Sequence, residues 1–415
     1  MFFLFLSIFL YMPSEAAPEI LQLTPGPTGI HPEVQREMAR QTQNHTHPDF
    51  LGECKAIQRL ARTLFGTTNP DTGILTASGT GGNEAGVMNF VQPKDKAVFV
   101  NSGFFSDRLG DMIRRRGAQA VEIPTKFGET IDPNVFEDTL KRYGRGNISA
   151  AFMAQIETST GAQIPDEDLV TLGAIATRFD VMLCIDSVCA FGGTAVNADD
   201  WKAAYVSACS QKGVNAPPGT APFTAAPFAM KRIEERRKQG QPPGSMYFDL
   251  PENMHYWNAG TYHATPAVQS LYGLRRAMEI TIERANGNLS GLFAEHARNQ
   301  RALEAGFEAI GFSNPVEQAK RAAVVSVLTA PSHINAKELR RNLLEVRSVR
   351  GRSIAGMEVA AGKRDPASEI RVALLGFWSN MQTVLDACDA VEQVTNTKDR
   401  MTNAAQQYYA RHPSY

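Results

Sequence analysis

The chain has 415 residues, 43% of them hydrophobic and 20% charged, with a formal net charge of −1. That length supports a large domain with a smaller one, and a charge so near zero leaves no polybasic face for nucleic acid or a membrane surface. The five cysteines (54, 184, 189, 209 and 388) are odd in number and lack C-x-x-C spacing, so they read as reduced core or near-site residues, outside any disulfide framework or zinc site.

Met1 to Tyr11 is almost wholly apolar, yet no positive charge precedes it and it is too short to span a bilayer. We read it as a non-structural extension, with the working chain starting near Met12 in the cytoplasm. The alternative is a signal peptide within residues 1–17, cleaved around Ser14-Glu15-Ala16-Ala17. Leu23-Thr24-Pro25-Gly26-Pro27-Thr28-Gly29 can be neither helix nor central strand, and reads as a rigid arm, wrapping the surface or lining a pocket. His45 and His47 have no third ligand nearby, so no metal site is expected. A helix follows with Ile57, Leu60, Ala61 and Leu64 on one face.

Ile74-Leu75-Thr76-Ala77 then runs into Ser78-Gly79-Thr80-Gly81-Gly82 and a helix-like stretch to Phe90. Glycines before a helix let backbone N–H groups converge on an anion, and the hydroxyls of Ser78 and Thr80 add donors. No Gly-Lys-Ser/Thr ends the motif, so it is not a Walker loop. Ala97–Val100 reads as a strand followed by the aromatic pair Phe104-Phe105; Ser149–Gln155 reads as another, followed by Glu157-Thr158-Ser159-Thr160-Gly161. Val181–Ile185 is a third, running straight into Asp186. Strand and helix alternate, which predicts a mostly parallel sheet covered on both faces, with ligand residues at the carboxyl ends of its strands.

Ala204–Val206 ends a further strand, and Ser210-Gln211-Lys212 follows before Pro217-Pro218-Gly219 stops regular structure. Desolvation at a strand end favours the neutral amine, the form that attacks an aldehyde. Phe228-Ala229-Met230 reads as a strand leading into a charged helix, and Ala267–Ala285 as an amphipathic helix. Beyond Asn286 the pattern is helix Leu292–Gly311, strand Ala323–Leu328, helix Ala336–Arg347, strand Ile370–Leu374 and helix Asn380–Val394. The expected domains are an extension and arm at 1–22, a large domain at 23–285, a small α+β domain at 286–400 and a tail at 401–415.

Taken in order, Thr-Pro-Gly-Pro-Thr at 24–28, Ser-Gly-Thr-Gly at 78–81, Glu-Thr-Ser-Thr-Gly at 157–161, Asp186-Ser187, Ser-Gln-Lys at 210–212 and Tyr-His-Ala-Thr-Pro at 262–266 resemble the class V aminotransferases, on the alanine–glyoxylate and serine–pyruvate branch. The likeness runs from about Leu23 to about Val394. It implies a fold-type I enzyme that uses pyridoxal 5′-phosphate, built as a homodimer with active sites at the subunit interface. Lys212 is implied to carry the cofactor and then serve as base, and Asp186 to keep the pyridine nitrogen protonated. Phe105 is implied to stack on the ring and Thr158 to bond near its 3-oxygen. Ser78, Gly79, Thr80 and Gln211 are implied to hold the phosphate, joined by Tyr262 and Thr265 from the partner subunit. Arg371 is implied to pair with the substrate carboxylate, with Gly26 beside it; outside this resemblance Arg371 reads as an ordinary strand-end salt bridge.

The implied reaction moves an amino group from alanine or serine to glyoxylate or pyruvate. Aspartate or an aminophosphonate as donor, and a cysteine desulfurase on the same fold, are the alternatives. A desulfurase needs a reactive cysteine on a mobile loop, and Cys388 lies in a helix-like run. Ala204, Cys209 and Asn44-His45-Thr46 depart from the family pattern, which leaves the cofactor chemistry intact and the donor open.

Overall fold

The structure, a computed structural model, describes residues 19–413. The apolar extension Met1–Tyr11 and the cleavage region at 14–17 lie outside the described residues. The main sheet has seven strands, β1 (Asp71–Leu75), β2 (Lys96–Asn101), β3 (Gln119–Pro124), β4 (Ala150–Ala154), β5 (Met182–Asp186), β6 (Tyr205–Ser207) and β7 (Ala221–Ala225). Their order is β1-β7-β6-β5-β4-β2-β3. Strands β3, β2, β4, β5 and β6 are successively parallel, and β7 runs antiparallel to both β6 and β1. Runs such as Ala-Ala-Phe-Met-Ala in β4 are buried throughout, as a sheet covered on two faces requires.

Among the helices around this sheet are α1 (Pro48–Phe65), α2 (Gly79–Phe90), α3 (Phe104–Arg115) and α4 (Pro227–Lys238). Phe228-Ala229-Met230, expected as a strand, lies in α4, and the strand is β7 just before it. The run is helical because Pro227 occupies the first turn of α4, where a missing N–H costs nothing.

A long helix, α5 (Val268–Ala285), leads to the second core, built on α6 (Leu289–Ala309), α7 (Met381–Thr395) and α8 (Arg400–Arg411). Its sheet is antiparallel, β8 (Val325–Thr329), β10 (Glu369–Ala373) and β9 (Ala360–Ala361), with β10 central. Two features differ from expectation. Residues 400–411 are not a tail: Met401, Ala405 and Tyr409 recur at helical spacing and are buried in this core. The arm residues Leu21 and Leu23 belong to the same core, because Leu21–Gln22 pairs in parallel with Met357–Glu358. Among the described residues no helix is long and apolar enough to cross a membrane.

Candidate active site

The carboxyl ends of β5 and β6 open on a cavity of about 140 Å³. Ser78, Gly79 and Thr80 line it from the start of α2, and Gln211 and Lys212 from the loop after β6. Asp186 enters from the tip of β5, Phe105 from the first turn of α3, and Thr158 from the loop after β4. Eight of the expected residues therefore meet in one place.

Asp186 is half-buried and turned to this space. Burial pushes its carboxyl up to about 6; the Val188 N–H, the Asn83 amide and Lys212 pull the other way, and Glu157 adds to the rise. Oδ1 accepts from the Val188 N–H at 2.8 Å and Oδ2 from Asn83 Nδ2 at 2.6 Å.

The lysine turn is clamped by the N-terminal arm. Thr28 N–H donates to the Gln211 carbonyl at 3.1 Å, the Thr28 hydroxyl donates to the Lys212 carbonyl at 3.2 Å, and Lys212 Nζ donates to the Pro25 carbonyl. Asn215, buried with φ of 55°, donates to Thr28 Oγ1 and accepts from the Phe377 N–H, so the turn is also tied to the loop after β10. Gly26 lies against the lysine side chain with φ of +102°; a Cβ there would overlap Cδ and stand 2.8 Å from Nζ. Gly26→Ala is thus expected to displace the amine and lower turnover by about 10²-fold. Melting temperature and kcat measured together check this, since the arm's apolar anchors Leu21 and Leu23 are untouched.

Phe105 is held from below by Glu157, a residue quoted in the sequence motif without a role. Its buried carboxylate accepts from the Ser106 N–H at 2.8 Å, the Phe105 N–H at 3.4 Å, and the Ser159 N–H and hydroxyl at 2.9 and 2.7 Å. A carboxylate at the start of α3 meets both the orphan N–H groups and the positive end of the helix dipole.

Arg371, on β10, sits behind Thr158: Nε donates to the Ala361 carbonyl at 2.8 Å and Nη1 to the Thr158 carbonyl at 3.3 Å. Burial lowers its pKa, opposed by Cys189 and Glu157. No carboxylate forms a salt bridge with it among the described residues, so the strand-end ion pair is absent there. Tyr262 and Thr265 do not line the cavity. They lie on the surface near His45, the Tyr262 hydroxyl 3.5 Å from Thr265 Oγ1 and its ring 5.4 Å from that of His45, with Tyr262 62% exposed.

The cavity suits pyridoxal phosphate. Gln211 Oε1 is buried without a hydrogen-bond partner, and the Ser78 hydroxyl makes no capping bond at the start of α2. A Cβ on Gly79 would lie 2.6 Å from Val188 Cγ2, so the backbone itself borders the space. A helix N-terminus, an amine and a half-buried carboxylate thus surround one compartment.

Residues 33–382 match the family model described as Aminotransferase class-V. The alanine–glyoxylate aminotransferase of Drosophila melanogaster is 26% identical over 381 residues, spanning 90% of this chain and 91% of that protein. The crystal structure of ureidoglycine–glyoxylate aminotransferase from Bacillus subtilis aligns with a TM-score of 0.87 at 26% identity, covering 96% of this chain and all of the other. Alanine–glyoxylate aminotransferase from Nostoc sp. aligns at 0.83 with 30% identity, covering 93% and 98%. Together with this sheet order and the lysine–aspartate cavity, they define a fold-type I aminotransferase. The chain belongs to the class-V aminotransferase family, whose members depend on pyridoxal phosphate.

Proposed function

We propose that this aminotransferase binds pyridoxal phosphate in the cavity around Lys212 and moves an amino group from a small amino acid, alanine or serine, to glyoxylate or pyruvate. The observation that carries the reading is the convergence of Lys212, Asp186 and the α2 N-terminus on one cavity, in a chain whose relatives are named for transfer to glyoxylate. When bound, the cofactor supplies an electron sink for negative charge at the substrate Cα. Lys212 Nζ would take the Cα proton and return it two atoms along, on the carbon beyond the transferred nitrogen. Asp186 holds the proton on the ring nitrogen through a charge-assisted bond. Phe105 would cover one face and limit water, while Ser78, Gly79, Thr80, Gln211 and the first N–H groups of α2 would receive the phosphate. Thr158, which lines the same cavity, would bond the ring's 3-oxygen.

Arg371 binds the substrate α-carboxylate with its planar fork. Arg371→Lys is expected to raise KM for the amino acid by roughly 10- to 150-fold, the loss of a hydrogen bond to a charged group, with a smaller change in kcat. Steady-state kinetics with the better donor check it.

We further propose a homodimer in which Tyr262 and Thr265, remote from their own chain's cavity, complete the partner's phosphate site. The division we propose is a large domain up to residue 285 and a small one from 286 onward that takes in α8 and the arm residues Leu21 and Leu23. A reducing, cytoplasmic setting accords with five free cysteines. A desulfurase has no nucleophile here: Cys388 is buried in α7 with its thiol driven up by burial, and Cys189 at the cavity is held at about 11 by burial, with Lys212 opposing. The deciding experiment is a single-turnover absorbance screen of the loaded enzyme against alanine, serine, aspartate and an aminophosphonate. A cofactor spectrum that none of them changes overturns the assignment.

A further inference from the structure

Asp186 shares its surroundings with more polar groups than the reaction requires. Its Oδ1 is fixed by a backbone N–H, which cannot turn. Its Oδ2 depends on the Asn83 side chain, in the second turn of α2. An amide can present either end, and its oxygen against a carboxylate would repel. The Ser207 hydroxyl donates to Asn83 Oδ1 at hydrogen-bond distance, leaving Nδ2 for Asp186.

The two ends of this chain are built together. Ser207 and Asp186 are register partners at the tips of β6 and β5, and Asn83 bridges them from the helix above. The Tyr205 hydroxyl, on the same strand as Ser207, donates to the Gly82 carbonyl at 2.8 Å and pins the peptide beside Asn83. Leu109, Phe152, Cys184 and Ile185 close the space behind, which holds about 10 Å³, roughly one water probe. On that side no more than about one solvent molecule could stand in for a lost donor, and in such surroundings bonds in series polarise one another.

We propose that Asn83, oriented by Ser207, is a positioning residue that keeps the Asp186 carboxylate ionised and turned toward the cavity, so that it can hold a protonated pyridine nitrogen. The inference rests on the function proposed above. The groups facing Asp186 are Glu157 from the loop after β4, Lys212 and Cys209 from the loop after β6, Cys189 from the turn after β5 and Tyr205 from β6. Of these only Lys212 favours its charge, and Lys212 is also the residue that must move during catalysis. Asn83 and the Val188 N–H supply the remaining support.

The test is the pH dependence of pyridoxal phosphate affinity, read by fluorescence titration between pH 5 and 9 without turnover. Affinity falls on the acid side as Asp186 takes up a proton. Removing a donor to the ionised form raises that midpoint, so Asn83→Leu is expected to move it upward by about one to two pH units. Ser207→Ala should move it in the same direction by less, and Ser207→Thr should leave it in place. A role in folding alone would lower the melting temperature of the variants without moving the midpoint. A folded Asn83→Leu with the wild-type midpoint overturns the proposal. If that variant does not fold, equal midpoints for Ser207→Ala and Ser207→Thr overturn it. Borohydride reduction of the wild-type holoenzyme with peptide mass mapping separates the two readings. A pyridoxyl mass on residue 212 with unmoved midpoints sinks the relay alone, whereas no mass on residue 212 sinks the function and the relay with it.

Discussion

Lys212→Ala is expected to bind pyridoxal phosphate without a covalent link and to lose turnover by several orders of magnitude. Loss of the positioned base alone accounts for about 10²- to 10⁴-fold, and loss of the attached amine adds to it. Cofactor binding persists because the α2 N-terminus, Asp186, Thr158 and Phe105 are untouched, each being held by contacts that do not involve Nζ. The variant also frees the Pro25 carbonyl from its hydrogen bond and Gly26 from its side-chain neighbour, while the Thr28 bonds to the backbone at 211 and 212 remain. Dialysis-resistant binding measured beside a single-turnover assay checks both halves. Near-normal turnover would remove Lys212 from its role.

Asp186→Asn has the second large effect, with opposite signs in two assays. Turnover should fall by about 10²- to 10³-fold, the scale for deleting a preorganised charge. Stability of the cofactor-free protein should rise. The folded carboxyl is pushed up to about 6 from an ordinary 3.8, so between those values the native state holds a proton that the unfolded chain has released. Stability therefore drops as pH climbs through that window and stays reduced above it, by at most ~3 kcal/mol since the side facing the cavity is wet. Asparagine carries no such charge. Urea unfolding of the cofactor-free forms should show the variant ahead at pH 8 and the gap closing toward pH 4. A wild-type advantage at pH 8 would contradict the burial argument.

The site was legible in the sequence where chemistry and strand ends coincide. Asp186 follows five apolar residues, Lys212 stands between a strand and Pro-Pro-Gly, and the glycines at 79, 81 and 82, expected before a helix, open α2 itself. Asn83 was not legible: an amide inside a helical run looks like any surface residue, and its partners lie 103 and 124 positions away. Glu157 was visible as part of a motif, but its function as a cap exists only once α3 is packed above it. The β7 segment Ala-Pro-Phe-Thr-Ala was missed because a proline argues against a central strand. Here Pro222 stands opposite Ile74 of β1, and on the β6 side its carbonyl accepts from the Ala208 N–H at 2.8 Å before the paired residues begin at Phe223 with Ser207. The apolar residues at 228–230 then drew the strand to the wrong place. Helix α8 was legible by its spacing and was lost only by treating the chain's end as a tail.

The arm has a consequence for biosynthesis. Its carbonyls meet Lys212 across 187 positions and Trp378 Nε1 across 349, and the Leu23 carbonyl meets the Ala373 N–H. Residues 23–29 are thus made early and find these partners only after residues 212, 373 and 378 have followed. Closure of the compartment around Lys212 accordingly waits on distant sequence, and a chain stopped between residues 212 and 373 holds every residue lining that compartment but lacks the Ala373 and Trp378 partners of the arm.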